Sequence, residues 1–310
     1  MAQTRGLRQR IKSVHSIRQI TKTMEMVATS RLKRAQDRVV AARPYAAALT
    51  DVIADLYSAD LAERFALLRQ PGPGGVKRVA LIVITSNRGL AGAFNANLIR
   101  EARRRLEELE AGGATVALHL VGKKGIGSFR YAGRTAAVQR TDIGDKPTTA
   151  HAVELVGALM HEFEIGTLDA VEVVFAKFNS AMSTPATVLR ILPVEPPKAG
   201  KRAGGQPAEA HSGAPAEPAA RRYLPFYILK PSAEALLARL LPLYVQNQMF
   251  RALVETAAAE HGARRTAMKN ATDNAGDILD ILKRTYNRAR QAQITQEIAE
   301  IVGGAEAQKG

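Results

Sequence analysis

From Thr4 to Ala42 apolar residues recur every three or four positions, at Leu7, Ile11, Val14, Ile17, Ile20, Met24 and Val27, with no proline and no glycine after Gly6. That period puts them on one face of an α-helix. The pattern resumes beyond Pro44 at Leu49, Val52, Ile53 and Leu56, which predicts a helix reaching Tyr57 with a bend near the proline. A helix of about 50 residues would be roughly 75 Å long, more than a domain of this size encloses. It must pair with another long helix, enter a partner, or both.

The other end of the chain mirrors the first. From Pro242 onward there is no further proline, and Met249, Leu253, Ala257, Ile278, Leu282, Ile298 and Val302 mark a second long helix. Two long terminal helices flanking a central segment most simply form an antiparallel coiled coil, with Ala257, Ala258, Ala259, Ala263, Ala267 and Ala271 giving it a slim surface. The heptads are imperfect, so an ordinary globular helix rich in alanine is the alternative on this pattern alone.

The middle alternates differently. Pro71-Gly72-Pro73-Gly74-Gly75 breaks the chain, and Val79 to Thr85 is a continuous β-branched run of the kind found in a buried strand. Phe94 to Leu109 then reads as a helix, Val116 to Val121 as a strand, His151 to Phe163 as a helix and Val171 to Phe178 as a third strand. Thr187 to Leu192 and Tyr223 to Leu229 are candidates for further strands. The alternation predicts a small α/β domain with a largely parallel sheet. Between Pro193 and Arg222, six prolines and four glycines leave too little apolar material for a core, so this stretch reads as a flexible surface loop. The expected division is 1–70 for the N-terminal coiled-coil helix, 71–230 for the central α/β domain with its 193–222 loop, and 231–310 for the C-terminal coiled-coil helix. The fold class is therefore α/β, with a long antiparallel coiled coil of the N- and C-terminal helices.

Composition narrows the chemistry. Among 310 residues there is no Cys and no Trp, and aromatics are 5%. Disulfides, a thiol nucleophile and thiolate metal sites are excluded, and a base-stacking surface is disfavoured. No run of about 18 apolar residues suggests a membrane span, and Met1 to Arg18 lacks the apolar core of a secretory signal, so a soluble or peripheral protein is expected.

The net charge of +15 implies an acidic partner of some kind. Much of it is localised: the first 43 residues hold eleven Lys and Arg against Glu25 and Asp37, and a second cluster runs from Arg264 and Arg265 to Arg288 and Arg290. A solvated helix face and a nucleic-acid-binding surface are both open readings. The cations ring the helix instead of lining one side, which suits an environment present on every side, such as a sleeve of acidic protein.

Catalytic chemistry is hard to find. Thr85 to Asn95 follows a strand and opens a helix, where a phosphate loop would sit, but it lacks both G-x-G-x-x-G spacing and a Gly-Lys-Ser/Thr ending. Gly122-Lys123-Lys124-Gly125 fails the same test, and tight strand-to-helix turns account for these glycines. The six histidines are dispersed with no pair at helical ligand spacing, and no nucleophile elbow or zincin motif appears. No catalytic residue, cofactor or metal ligand is assigned. An enzyme working through the Gly89 to Asn95 turn stays open as a rival, as does a basic coiled-coil scaffold or nucleic-acid-binding protein.

One resemblance is specific. Ile294 to Ala307, reading ITQEIAEIVGGAEA, resembles the C-terminal signature of the gamma subunits of F-type ATP synthases. Ile20-Thr21-Lys22-Thr23-Met24-Glu25-Met26-Val27-Ala28 is similar to that family's N-terminal helix. Ala267 to Ala275, Tyr286 to Ala292 and the Thr85 to Asn95 turn match as well, so the likeness covers both ends closely and the centre loosely. The resemblance implies a rotor stalk with no catalytic site of its own. Its coil would occupy the axis of a hexamer of three alpha and three beta subunits, and its domain would sit with the epsilon subunit on the membrane c-ring. Proton or sodium flow would turn it, coupling rotation to ATP synthesis or hydrolysis, at the cytoplasmic face of a bacterial inner membrane, with no nucleic acid involved.

Carried over by position, Arg264, Arg290, Gln291, Thr295 and Glu297 resemble polar shaft residues that meet beta-subunit loops, where charge-assisted hydrogen bonds could break and re-form with angle. For each, a pair within the coil is the alternative. Met24 resembles a position near the same region, and core packing is its alternative. Two departures matter: the 193–222 loop is long and carries no transferred contact, and the absence of Cys, with Ala91 in the turn, excludes the thiol switch of plastid members.

Overall fold

The computed structural model describes residues 2–56, 64–70, 75–194 and 232–307. Contacts divide the chain into two units, one of Met1–Lys33, Leu90–Ala93 and Glu260–Gly310, the other of Arg34–Gly89 and Phe94–Ala259. Helix α1 (Ala2–Leu56) and the last helix, α5 (Ala233–Ala307), each contribute to both.

The α/β unit is built on β1 (Arg78–Ile84), the apolar run prominent in the sequence, with every residue after Arg78 buried. It continues through α2 (Phe94–Ala111), β2 (Thr115–Val121), α3 (Lys123–Tyr131), β3 (Val138–Arg140), α4 (Thr149–Glu164), β4 (Ala170–Ala176) and β5 (Ala186–Leu192). The strand order is β3-β2-β1-β4-β5. The first four run parallel, and β5 lies antiparallel to β4. The largely parallel sheet is therefore as expected, and the Thr187 to Leu192 candidate is the antiparallel edge. Helix α3 and strand β3 were not read from the sequence, because Gly122, Gly125 and Gly127 among lysines obscure the period. The Tyr223 to Leu229 candidate, and all of the 193–222 loop beyond Val194, lie outside the described residues.

Alternation along the strands gives the sheet two faces. Ala80, Ile82, Val171, Val173 and Phe175 face a core shared with α4, the end of α1 (Leu49, Ile53, Leu56) and the start of α5 (Leu237, Leu241, Val245, Met249). On the other face Val79 and Ala170 meet Leu109 of α2. This second face also holds Glu172, 2% exposed. Its carboxylate takes two 2.7 Å bonds from Arg105 and two, of 3.2 and 3.3 Å, from Arg190, its β5 neighbour in the register. Burial pushes this carboxyl up, but the Arg105 guanidinium, with Arg190 beside it, more than offsets that and holds it below the usual glutamate range.

Both terminal helices run through a proline. Pro44 leaves α1 unbroken, and α5 begins upstream of Pro242. Pro44 withholds a hydrogen from the carbonyl of Val40, at an exposed position of the helix.

The other unit is a helix pair. Its α1 seam is Leu7, Ile11, Val14, Arg18, Thr21, Glu25, Ala28 and Leu32, at strict alternating steps of four and three. The α5 seam is Met268, Thr272, Ala275, Leu279, Leu282, Tyr286, Ala289 and Gln293, with the same steps. This is the spacing of a coiled coil. Thr4 bonds Gln293 at 3.2 Å, Arg18 lies against Gly276, and Thr272 bonds Thr21 at 2.9 Å. Numbers rise on one helix as they fall on the other, so the pair is antiparallel.

Candidate functional site: the paired terminal helices

The coil is unusual in what it hides and what it shows. At Arg18, Thr21 and Glu25 the α1 seam is polar, and Thr272 answers on α5. The apolar residues of this stretch lie outside: Ile17, Ile20, Met24 and Val27 are 51%, 55%, 39% and 47% exposed. The single stripe drawn through Leu7 to Val27 is therefore corrected. Heptad steps keep position 14 in the seam and continue at 18, 21 and 25, while the apolar residues at 17, 20, 24 and 27 fall one step aside. Met24 is on the surface, and core packing is excluded for it.

Helix α5 also shows apolar residues nearer its end. Gln293 pairs with Thr4, almost at the start of α1. Beyond it Ile294, Ile298, Ile301 and Val302 are each between 47% and 71% exposed. Their spacing puts them on one side of the helix.

The polar residues carried over by position separate into two places. Arg290, Gln291, Thr295 and Glu297 are all exposed near the end of α5. The structure brings Gln291 and Thr295 together, since the Thr295 hydroxyl donates to the Gln291 carbonyl at 3.0 Å. Glu297 accepts from Gln293 at 2.9 Å. Arg264 stands apart, 26 residues earlier, which is roughly 39 Å along the axis. Its Nη2 donates to Glu260 Oε1, and its Nη1 lies 3.3 Å from His261 Nδ1. Glu260 and His261 are themselves buried. The pairing within the coil set out as its alternative is thus realised for Arg264, although the guanidinium keeps some exposure. Sequence reasoning missed Glu260 and His261, although Glu260 and Arg264 stand at the i,i+4 spacing of a helical ion pair.

The α/β unit has the topology in which ligands bind beyond the carboxyl ends of β1 and β4, where the strand order reverses. Here that place is already used. Thr85 N–H bonds the Val121 carbonyl at 2.8 Å, so β1 peels toward β2. The α3 amides that would cradle a phosphate are taken by the turn: Lys123 N–H by Asn87 Oδ1, Lys124 N–H by the Ser86 carbonyl, Gly125 N–H by Thr85 Oγ1. Gly122 has φ +97, and a Cβ there would stand 2.1 Å from the Thr85 carbonyl oxygen. The glycines serve a close backbone approach. On the β4 side, α5 fills the gap: Thr256 Oγ1 accepts from Ala176 N–H at 3.3 Å, and Glu255 Oε2 from Phe178 N–H at 3.0 Å. These are arguments from occupied donors against a nucleotide enzyme at this turn.

The ATP synthase family model matches residues 3–308. A protein of Gemmatimonas aurantiaca named ATP synthase gamma chain is 56% identical across the whole of both chains. The chain belongs to the ATP synthase gamma-chain family. A Moorella thermoacetica gamma chain is 42% identical, again over the whole length of both. In shape, this gamma chain is similar to a chain in the Euglena gracilis mitochondrial ATP synthase in a rotational state, with TM-score 0.63 and 19% identity, covering 99% of this chain and 94% of that one. It is also similar to one in the central stalk and c-ring of the Tetrahymena thermophila enzyme, with TM-score 0.56 and 19% identity, covering 81% and 99%. A gamma chain is a non-catalytic rotor subunit, so its functional surface is mechanical. No described helix is long and apolar enough to cross a membrane.

Proposed function

We propose that this chain is the shaft of an F-type ATP synthase. Its coil stands in the axis of a hexamer of three alpha and three beta subunits, and its α/β unit is held with epsilon against the c-ring at the cytoplasmic face of a bacterial inner membrane. The observation that carries this reading is the outside of the coil: where Arg18, Thr21 and Glu25 interrupt the apolar seam, Ile17, Ile20, Met24 and Val27 are exposed, and cations ring the circumference. Such a surface is costly in water and suits a sleeve that encloses it. The apolar end from Ile294 to Val302 fits the same enclosure.

The mechanism follows from asymmetry. A coil with different side chains at each angle gives three otherwise identical beta subunits three different neighbours. Each orientation then stabilises a different state at each site, and turning the shaft shifts their relative affinities for ADP, phosphate and ATP in sequence. Arg290, Gln291, Thr295 and Glu297 at one level, and Arg264 with Met24 at others, are the groups offered to beta-subunit loops. Ion flow through the c-ring, of protons or sodium, supplies the rotation, and ATP hydrolysis drives it in reverse.

The test is single-molecule rotation of the cognate alpha–beta hexamer with a probe fixed to the α/β unit of this chain. Stepwise, ATP-dependent rotation is expected. A hexamer that never incorporates the chain, together with steeply salt-dependent DNA binding, would move the reading to a basic nucleic-acid-binding scaffold.

A further inference from the structure

Strand β4 runs past its partner. Its ladder with β1 ends at the Val83–Val174 pair, while β1 turns away toward β2 at Thr85. The N–H groups of Ala176 and Phe178, two residues apart on one strand edge, are left without a ladder acceptor on the β1 side. Both are satisfied by consecutive side chains of α5, Thr256 and Glu255. The arrangement is braced from behind. Arg251 Nε donates to Glu255 Oε1 at 2.7 Å, and the Thr256 hydroxyl donates to the Ala252 carbonyl at 2.7 Å. Glu255 and Thr256 are each 4% exposed, in a run that is otherwise alanine and apolar.

A buried carboxylate and hydroxyl are expensive in such a place unless their geometry is needed. Apolar packing already holds this part of α5 to the sheet, through Leu241, Val245, Met249, Ala252 and Leu253. That packing is non-directional and resists separation far better than sliding or axial turning. The two hydrogen bonds from the strand end have direction, and they act on successive positions of the helix, about 100° apart around its axis. Together they fix both the height of α5 against β4 and its rotation about its own axis. The same helix continues beyond Glu260 as one strand of the coil.

We propose that Glu255 and Thr256 are positioning residues that form a torque-bearing joint, locking α5 against the end of β4 so that force applied to the α/β unit turns the shaft instead of slipping past it. The proposal rests on the rotor reading. The joint takes the place that a bound ligand occupies in open sheets of this topology, which explains why the crevice is filled by polar groups and not by a Leu or Ile.

The experiment uses the complete ATP synthase in sealed vesicles carrying Thr256→Val with Glu255→Leu, reading ions pumped per ATP hydrolysed and amide exchange at Ala176 and Phe178. Thr256→Val keeps the branched shape and removes the acceptor, and Thr256→Ser restores it. We expect exchange at both amides to rise by about tenfold. We expect hydrolysis to persist while ions pumped per ATP fall, and Thr256→Ser to recover both readings. If the double variant does not assemble, the single Thr256→Val chain is read at Ala176 and by ions pumped per ATP, since Phe178 keeps Glu255. An unchanged pumping ratio with faster exchange would overturn the joint while leaving the rotor intact. Absence of rotation with the unmodified chain would instead overturn the rotor reading.

Discussion

The hydroxyl of Thr272 donates to that of Thr21 at 2.9 Å, placing a neutral polar pair in the middle of a coiled-coil seam. The Thr21 hydroxyl donates in turn to the Arg18 carbonyl at 3.1 Å, and the Met268 carbonyl, 2.8 Å from Thr272 Oγ1, is an alternative acceptor for the single Thr272 hydrogen. The pair therefore fixes register without leaving a group unsatisfied. Thr272→Val alone should destabilise the coil by about 1 kcal/mol, and Thr21→Val with Thr272→Val should recover most of that loss. A double-mutant cycle on urea unfolding measures the coupling, and strictly additive losses would show that the two hydroxyls act independently.

Gly276 lies under the side chain of Arg18. A Cβ there would meet Arg18 Nε at 3.7 Å, which is ordinary contact. Gly276→Ala should therefore stabilise the coil by up to about 1 kcal/mol through helix propensity. Gly122→Ala should do the opposite and prevent the sheet from closing, because its Cβ would fall 2.1 Å from a backbone oxygen. Thermal unfolding of the two variants decides it; a Gly122→Ala chain as stable as the parent would contradict the close approach.

Glu172 links stability to pH. Its carboxyl is held below the usual range when folded, so the stability it contributes is complete above the unfolded value of about 4.3 and is lost as pH falls through the lower folded value. Glu172→Gln should cost about 3 kcal/mol near pH 7, because it leaves Arg105 and Arg190 facing an uncharged partner. The gap between parent and variant should shrink below pH 4. Denaturant unfolding at pH 7 and pH 3 checks this, and an equal gap at both would refute it.

Ile298 and Ile301 are 56% and 71% exposed near the end of α5. Changing both to Ser should alter the stability of the isolated chain by less than about 0.5 kcal/mol. If the hexamer encloses them, the same change should weaken assembly by about 1.5–3 kcal/mol for each side chain buried there. Chain stability and affinity for the hexamer are measured separately, and an unchanged affinity would remove this end from the interface.

Much of this was legible from residue order, and the gaps have physical causes. The parallel strands announce themselves because burial on both faces demands unbroken apolar runs such as Val79 to Ile84. The coil announces itself through length. Its seam does not, because the apolar stripe at Ile17, Ile20 and Met24 lies beside the seam and not in it, so hydrophobicity pointed away from the intramolecular contact. Glu172 looks like an exposed residue in an alternating strand, and only the distant Arg105 and Arg190 make it an interior one. Glu255 and Thr256 are similarly silent, since their acceptors are needed only where β4 outruns β1. Of the residues carried over by position, the separation of Arg264 from the Arg290 group follows from helix rise alone, and its i,i+4 spacing from Glu260 is a helical ion-pair signal; the burial of Glu260 is what spacing does not give.

The bond between Thr21 and Thr272 joins residues 251 positions apart. Closing so long a loop directly is entropically unfavourable and slow. The later half of α1 and the early half of α5, however, share one core through Leu49, Ile53, Leu237 and Leu241. Once that core has condensed, the two helices are already held side by side, and the remaining pairing proceeds residue by residue from a fixed end. The coil should thus be the last part to form and the first to open. During synthesis, α1 must wait for nearly the entire chain to be made before its seam is covered, with Leu7, Ile11, Val14 and Leu32 exposed until then. A newly made chain is then a natural client for a chaperone until α5 emerges.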